Sequence, residues 1–377
     1  MGDTDEVFAR KTSPYMTADY CRAEEMTKVE TTNTRSEPSP IGAAEAQFMA
    51  AARSEDTTKF ALLTEQYRRQ LQVHCYRMLA SYEDAQDMTQ ETFLRAWNRR
   101  ETFQGRASLR TWLYRIATNC CLDFLEKRRD RTPVPAELPE AGTEVLYLQP
   151  YPTHMLPDDP QDSTVARETI ELAFIVAVQH LPPRQRAVLI LRDILGWPAR
   201  QAAESLDLSV ASANSALQRA RASMREQLPD GRLDWRAASA QTLTAGERAL
   251  VDKYMAAHEH LDVERLATLL RDDVRFAMPP QPGVWVGRDE CVNAWVEGGL
   301  GTPGLDDWRC IATTANGQPA VAMYLRKPGD SAHRAFAIDV LRVVDGLVAG
   351  ITAFGDEVFG SLELPEVFEE AEPSSGI

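Results

Sequence analysis

Residues 133–163 set the first limit on how this chain can fold. They hold seven of its 22 prolines, six Asp or Glu residues and no Lys or Arg. Each proline fixes φ and lacks a donor, so the segment is expected to be an extended linker and not a domain. A chain of 377 residues interrupted in this way should fold as two or three modules. Charge follows the same division: residues 1–56 carry −5, 57–132 +5, 133–163 −6, 164–228 +2 and 229–377 −11, giving −15 overall. Two basic modules among acidic segments point to a polyanionic partner for part of the chain only, and exclude a polybasic nucleic-acid coat. The polar N-terminus is unlike a signal peptide and no run of 18 apolar residues occurs, so a cytoplasmic protein that meets no membrane is expected. The six cysteines form no C-x-x-C pair, and neither metal nor cofactor is expected.

Residues 1–56 are rich in Thr, Ser, Glu and Asp and read as a disordered or weakly helical extension, with Met49 an alternative start. Residues 57–132 read as a bundle of three or four helices. Between Glu83 and Arg100, Ala85, Met88, Phe93, Ala96 and Trp97 make an apolar side, and Asp84, Asp87, Glu91 and Arg95 make a charged stripe opposite. A solvated face explains that stripe as well as a docking surface does. Ser108 is a natural cap for a long helix from Leu109 to Arg129. Arg106, Arg110, Arg115, Lys127, Arg128, Arg129 and Arg131, interleaved with Trp97, Phe103, Trp112 and Tyr114, suit a single-stranded nucleic acid, although Trp112 also reads as core.

The run Asp84-Ala85-Gln86-Asp87-Met88-Thr89-Gln90-Glu91-Thr92-Phe93-Leu94-Arg95-Ala96-Trp97, followed by Phe103-Gln104-Gly105-Arg106-Ala107-Ser108-Leu109-Arg110-Thr111-Trp112, resembles region 2 of extracytoplasmic-function sigma factors. These bacterial subunits direct RNA polymerase to promoters. The resemblance covers about residues 58–131. It implies that Asp84, Asp87, Gln90 and Glu91 dock on the clamp coiled coil of core polymerase. It also implies that Gln104, Arg106, Ser108, Arg110, Arg115 and Asn119 melt and hold minus-ten DNA.

Residues 164–228 read as helices broken by turn signals. Pro183 opens one helix, Gly196 closes it, Pro198 opens a short one to Leu206, and Asp207-Leu208-Ser209 turns into a last helix from Val210 to Gln227, a helix-turn-helix. In the last helix Ala213, Leu217, Ala220 and Met224 face a core, and Asn214, Gln218, Arg221 and Arg225 form a stripe suited to a major groove. Leu181-Pro182-Pro183-Arg184-Gln185-Arg186, Gly196-Trp197 and Gln218-Arg219-Ala220-Arg221 resemble sigma region 4. The resemblance implies that the module binds the polymerase flap and reads minus-thirty-five DNA through Ser212, Asn214, Ser215, Gln218, Arg219, Arg221 and Arg225. Asp207 stands where glycine is frequent, and Asn214 and Ala216 where basic residues are frequent. No region 3 separates the modules, and the acidic linker could imitate RNA phosphates on the transcript's exit path or serve as a solvated spacer.

After a second linker at 229–243, residues 244–360 read as an α+β domain. A helix from Thr244 to about Leu270 precedes strands at 273–278, 308–314, 320–326, 334–344 and 347–354, with a helix at 288–298 and a hairpin at Asp345-Gly346. Leu269-Leu270-Arg271-Asp272-Asp273-Val274 and Trp285-Val286-Gly287-Arg288 resemble cone-shaped SnoaL-like domains of the ketosteroid-isomerase superfamily. The three-part arrangement resembles the SigG type of sigma factor. Residues 361–377 read as an acidic tail. Candidate pocket groups are Tyr254, Trp285, Trp295 and Asp339, with Trp308 and His333. A desolvated Asp339 could act as a general base, whereas an Asp paired with an Arg and aromatics packed as core is the simpler reading. The expected protein is a promoter-specificity subunit with a regulatory C-terminal domain, no reaction of its own, and core polymerase, promoter DNA and an anti-sigma factor or small-molecule ligand as partners. The alternatives are a SnoaL-type enzyme or sensor with appended DNA-binding modules, and a repressor using the helix-turn-helix alone.

Overall fold

The computed structural model describes residues 42–54, 56–131, 145, 147–157, 169–228, 243–281 and 283–368. The first module contains α1 (Ala43–Arg53), α2 (Thr57–Glu65), α3 (Arg68–Leu79), α4 (Tyr82–Asn98) and α5 (Leu109–Arg131). Side chains of Asp56, Ser81 and Ser108 cap α2, α4 and α5 by accepting from Lys59 N, Asp84 N and Thr111 N. α3 is buried at every position from Leu71 to Leu79, polar residues included, because protein surrounds it on all sides.

The extension expected to run to residue 56 is shorter. α1 belongs to the module: the Phe48 side chain is fully buried, with ring centroids 5.1, 5.1 and 5.6 Å from Phe60, Phe103 and Trp112. One large apolar residue in an alanine-rich window gives no periodicity, so the sequence carries little sign of it. The rest of the expected extension lies outside the described residues.

The second module is α6 (Leu172–Gln179), α7 (Pro183–Leu189), a π turn over Ile190–Ile194, α8 (Ala199–Ser205) and α9 (Val210–Gln227). Asp207 takes the left-handed turn position at φ 53°, a conformation Asp adopts more readily than most residues. Ala213, Leu217, Ala220 and Met224 are buried. Much of 133–163 lies outside the described residues, but residues 147–157 are a packed strap and not a solvated spacer. Leu148, Tyr151 and Leu156 are buried, Gln149 N donates to Ala80 O at 3.0 Å, and Pro152 bridges to Ala315 in the C-terminal domain.

That domain begins with α10 (Ala245–Glu259) and α11 (Val263–Leu269). They are two helices where one was expected, because Leu261 turns left-handed at φ 55°. Six strands follow: β1 (Leu270–Ala277), β2 (Val284–Val286), β3 (Trp308–Ala315), β4 (Gln318–Leu325), β5 (Arg334–Val344) and β6 (Leu347–Gly355), with α12 (Arg288–Glu297) after β2. The sheet order is β2-β1-β6-β5-β4-β3, and β1 runs parallel to β6. The short edge strand β2 was not expected. The expected acidic tail also starts too early at 361: Leu362 is buried, Ala335 N donates to Glu366 O and Phe368 N to His333 O.

β4 is buried at all eight positions, so both of its faces are covered. Val321, Met323 and Leu325 point into the domain's own core with Leu250, Val251 and Tyr254 of α10. Ala320, Ala322 and Tyr324 point the other way and join one continuous apolar cluster with the strap and both helical modules. The period-two alternation of a strand thus feeds two cores, and the C-terminal domain is packed onto the helical modules.

Candidate nucleic-acid interface

The residues proposed for polymerase docking lie on α4. Asp87 and Gln90 are exposed, Asp84 is paired with Arg128, and Glu91 receives Arg95 Nε at 2.6 Å, with Arg95 also reaching Asp123 at 2.6 Å. The stripe is therefore half exposed and half braced to α5.

Among the residues assigned to minus-ten DNA, Gln104, Arg106, Ser108, Arg110 and Arg115 are exposed and Asn119 is half-buried. The interleaved aromatics are not an open stacking platform. Phe103 and Tyr114 are buried, and half-buried Trp97 and Trp112 pack on Phe60 and Phe48 at 5.1 and 5.6 Å. Cations thus line the surface while most of the ring area supports the core. On α9, Ser212, Asn214, Ser215, Gln218, Arg219 and Arg225 are exposed as a groove-reading face requires. Arg221 differs: its guanidinium grips Asp193 through two bonds of 2.7 and 2.8 Å, and the hydrogen bond to that carboxylate raises its pKa. Its place in the stripe did not reveal this brace, which exists only once the π turn packs against α9.

The two basic modules face one another. Gln201 of α8 donates to Thr111 Oγ1 at 3.1 Å, Asp207 lies 3.6 Å from Arg115, and the rings of Trp197 and Tyr114 stand 6.4 Å apart. Arg186 is buried and binds only neutral oxygens among the described residues, including the carbonyls of Met78, Gln179 and Leu181. Burial pushes its pKa down to about 10. A cleft of about 410 Å³ remains between the modules.

A second set of contacts comes from the Asn316-Gly317 turn, whose positive φ values of 55° and 68° suit a two-residue hairpin. Asn316 is fully buried. Its side chain accepts from Tyr151 N at 2.7 Å and donates to Ile170 O at 2.7 Å and to Tyr76 Oη at 2.9 Å. Tyr76 Oη donates onward to Gln149 O at 2.7 Å, and Gln318 Oε1 accepts from Leu172 N at 2.9 Å. One hairpin tip therefore ties α3, the strap and the start of α6 together. Nothing in the local sequence indicates what this turn touches.

Inside the C-terminal domain, Asp339 is buried on β5 and accepts from Tyr254 Oη at 2.8 Å; its partner is a tyrosine, not an arginine. Burial raises its pKa to about 6, and burial lowers that of His258 to about 4. Tyr254, His258, Trp295, Phe276 and Trp285 form a continuous chain of ring contacts. Two further pocket candidates stand apart from Asp339: Trp308 packs on Phe336, and His333 Nε2 lies 2.8 Å from Asp307. No helix among the described residues is long and apolar enough to cross a membrane.

Comparison with known proteins gives matches for each part. Residues 63–131 match Sigma-70 region 2, residues 171–224 match Sigma-70 region 4, and residues 251–351 match the SnoaL-like domain. The chain is 42% identical over 325 residues to the ECF RNA polymerase sigma factor SigG of Mycobacterium tuberculosis, covering 81% of this chain and 84% of that one. It is 32% identical over 177 residues to the ECF RNA polymerase sigma factor SigW of Bacillus subtilis, covering 46% of this chain and 91% of that one. The crystal structure of the Mycobacterium tuberculosis sigma factor SigJ shares the fold, with a TM-score of 0.53 at 22% identity over 79% of this chain and 97% of that one.

Proposed function

The chain belongs to the extracytoplasmic-function sigma factors of RNA polymerase, and from that premise we propose that it alternates between a closed form and a promoter-reading form. It directs core polymerase to promoters. Asp84, Asp87, Gln90 and Glu91 contact core, the Gln104–Asn119 surface holds minus-ten DNA, and the exposed face of α9 reads minus-thirty-five DNA. The observation that carries the proposal is the contact between Gln201 and Asp207 of the second module and Thr111 and Arg115 of the first. A surface engaged with its own helix-turn-helix cannot engage separated promoter elements at the same time. Core polymerase would release it by binding the open form better.

In this scheme the C-terminal domain holds the closed form through the Asn316 turn and the outer face of β4. Asp339 and Tyr254 tie α10 to β5 and carry out no reaction. Transcription by purified core polymerase from a library of promoters tests the reading. Promoter-specific transcripts that depend on the full chain are expected. Failure of the chain to bind core would overturn it, leaving a free-standing DNA-binding protein or an enzyme.

A further inference from the structure

We propose that Gln149 of the strap is a positioning residue for polymerase docking: its side chain completes the N-terminus of α4 from outside the helix and so holds the docking face in place. The inference rests on the reading above, because it takes Asp84, Asp87, Gln90 and Glu91 as the residues that contact core. The first N–H groups of a helix have no acceptor within the helix itself. In α4 the Ser81 hydroxyl accepts from Asp84 N at 3.1 Å, and Ser81 O accepts from Ala85 N at 3.0 Å. The cap does not reach Glu83 N, and Gln149 Oε1 accepts from it at 3.1 Å. The same oxygen accepts from Ser81 Oγ at 2.9 Å, which turns the lone pairs of that hydroxyl toward Asp84 N. One side chain from the strap thus serves both the cap and the donor beside it.

The backbone of Gln149 fixes the corner from which α4 starts. Gln149 N donates to Ala80 O at 3.0 Å, and Gln149 O accepts from Tyr76 Oη at 2.7 Å. Ala80 joins α3 to α4 at φ 60°, a costly conformation for a residue with a Cβ, and the strap bonds its carbonyl. Two residues earlier, the Tyr147 ring lies 4.4 Å from the Arg128 guanidinium, and Arg128 pairs with Asp84, the first residue of the docking face. A first turn that frays would displace Asp84 and leave exposed Asp87 beside a loose end. Among the described residues, every hydrogen-bond partner of Gln149 belongs to the first module, so this hold persists when the Asn316 turn lets go.

The test compares two variants of the full chain: Gln149→Met keeps the length of the side chain and loses the acceptor, and Gln149→Glu keeps an oxygen for both donors. Affinity for core polymerase is read by fluorescence anisotropy, and amide protection by hydrogen exchange. Gln149→Met should weaken core binding about fivefold and speed exchange of the Glu83 and Asp84 amides about tenfold, while the Tyr151 amide and the interior of α5 keep their protection. Gln149→Glu should stay within about twofold of the parent chain in both readouts, since an acceptor at a helix N-terminus is retained. A parental Kd in Gln149→Met, a Gln149→Glu chain as weak as Gln149→Met, or loss of protection throughout the first module would overturn the inference. Asp87→Ala, measured alongside, separates it from the reading it rests on. Weakened core binding by Asp87→Ala with a parental Kd in Gln149→Met sinks the inference alone. An unchanged Kd in Asp87→Ala sinks the assignment of the docking face, and the inference with it. Failure of the parent chain to bind core overturns the reading above.

Discussion

Replacing Asn316 with glycine isolates the hairpin tip as the device that holds the closed form. Glycine is at ease at φ 55°, and the backbone bond from residue 316 N to Tyr151 O, 2.8 Å long, survives the change. What is lost is the amide side chain. Tyr151 N and Ile170 O are left without it, and Tyr76 Oη loses a donor but keeps its own bond to Gln149 O. Leaving a buried polar group unsatisfied costs about 1–3 kcal/mol. Two backbone groups therefore put the penalty at about 3 kcal/mol once water relieves part of it, or about a hundredfold in the ratio of open to closed chains. Hydrogen exchange reads this directly: the Tyr151 amide and its neighbours in the strap should exchange about a hundredfold faster, while amides inside β5 and α10 keep their protection. Open-complex formation at limiting core polymerase should accelerate. Unchanged exchange across 147–157, or uniform loss of protection throughout the C-terminal domain, would show that the Asn316 side chain does not hold the strap.

Three further outcomes follow from the packing. Phe48→Ala, or a chain starting at Met49, should lose about 3–5 kcal/mol of first-module stability in a denaturant titration, because a fully buried ring leaves a cavity among three aromatic partners; a loss below about 1 kcal/mol would place α1 outside the core. Asp193→Ala should free Arg221 for phosphate and steepen the salt dependence of holoenzyme binding to promoter DNA by about one unit of log–log slope; an unchanged slope would show that Arg221 faces no phosphate. Asp339, raised to about 6 by burial, keeps its proton better folded than unfolded, so its contribution to stability is full at about pH 4 and is lost as pH rises through 6. The shift corresponds to about 3 kcal/mol. His258, lowered to about 4 by burial, acts in the opposite sense and loses its contribution as pH falls below 6.5. Melting curves of Asp339→Asn should therefore fall between pH 6.5 and 4 more steeply than those of the parent chain; parallel curves would count against a buried carboxyl at this position.

The sequence was most informative where local rules and tertiary packing agree. The last helix of the helix-turn-helix matched its expected span of Val210 to Gln227 because its apolar period, its Ser209 cap and its turn all point the same way. The Asp345-Gly346 hairpin was legible for the same reason, since both residues need positive φ. What was not legible depends on partners distant in the chain. Phe48, the strap at 147–157 and Asn316 have ordinary local sequences, and only their neighbours make them core. Arg221 shows the same limit in a candidate stripe: spacing put it on the face proposed to read DNA, but the Asp193 carboxylate 28 residues away occupies it. The proline-rich composition of the linker predicts an extended spacer and not a domain, yet proline also suits a packed strap that crosses surfaces with few donors of its own.

On the proposal above, free chain is closed and polymerase opens it. Spin labels at Ala107 and Arg200, exposed residues beside the Thr111–Gln201 contact, measure this by pulsed electron resonance. The cysteines at 75, 120, 121, 291 and 310 are buried, so replacing Cys21 with alanine leaves the two introduced thiols as the accessible ones among the described residues. A single short distance is expected in the free chain. On addition of core polymerase and promoter DNA it should lengthen by about 35 Å or more, the span of at least one turn of duplex. A distance already long in the free chain, or one unchanged in the promoter complex, would contradict the account.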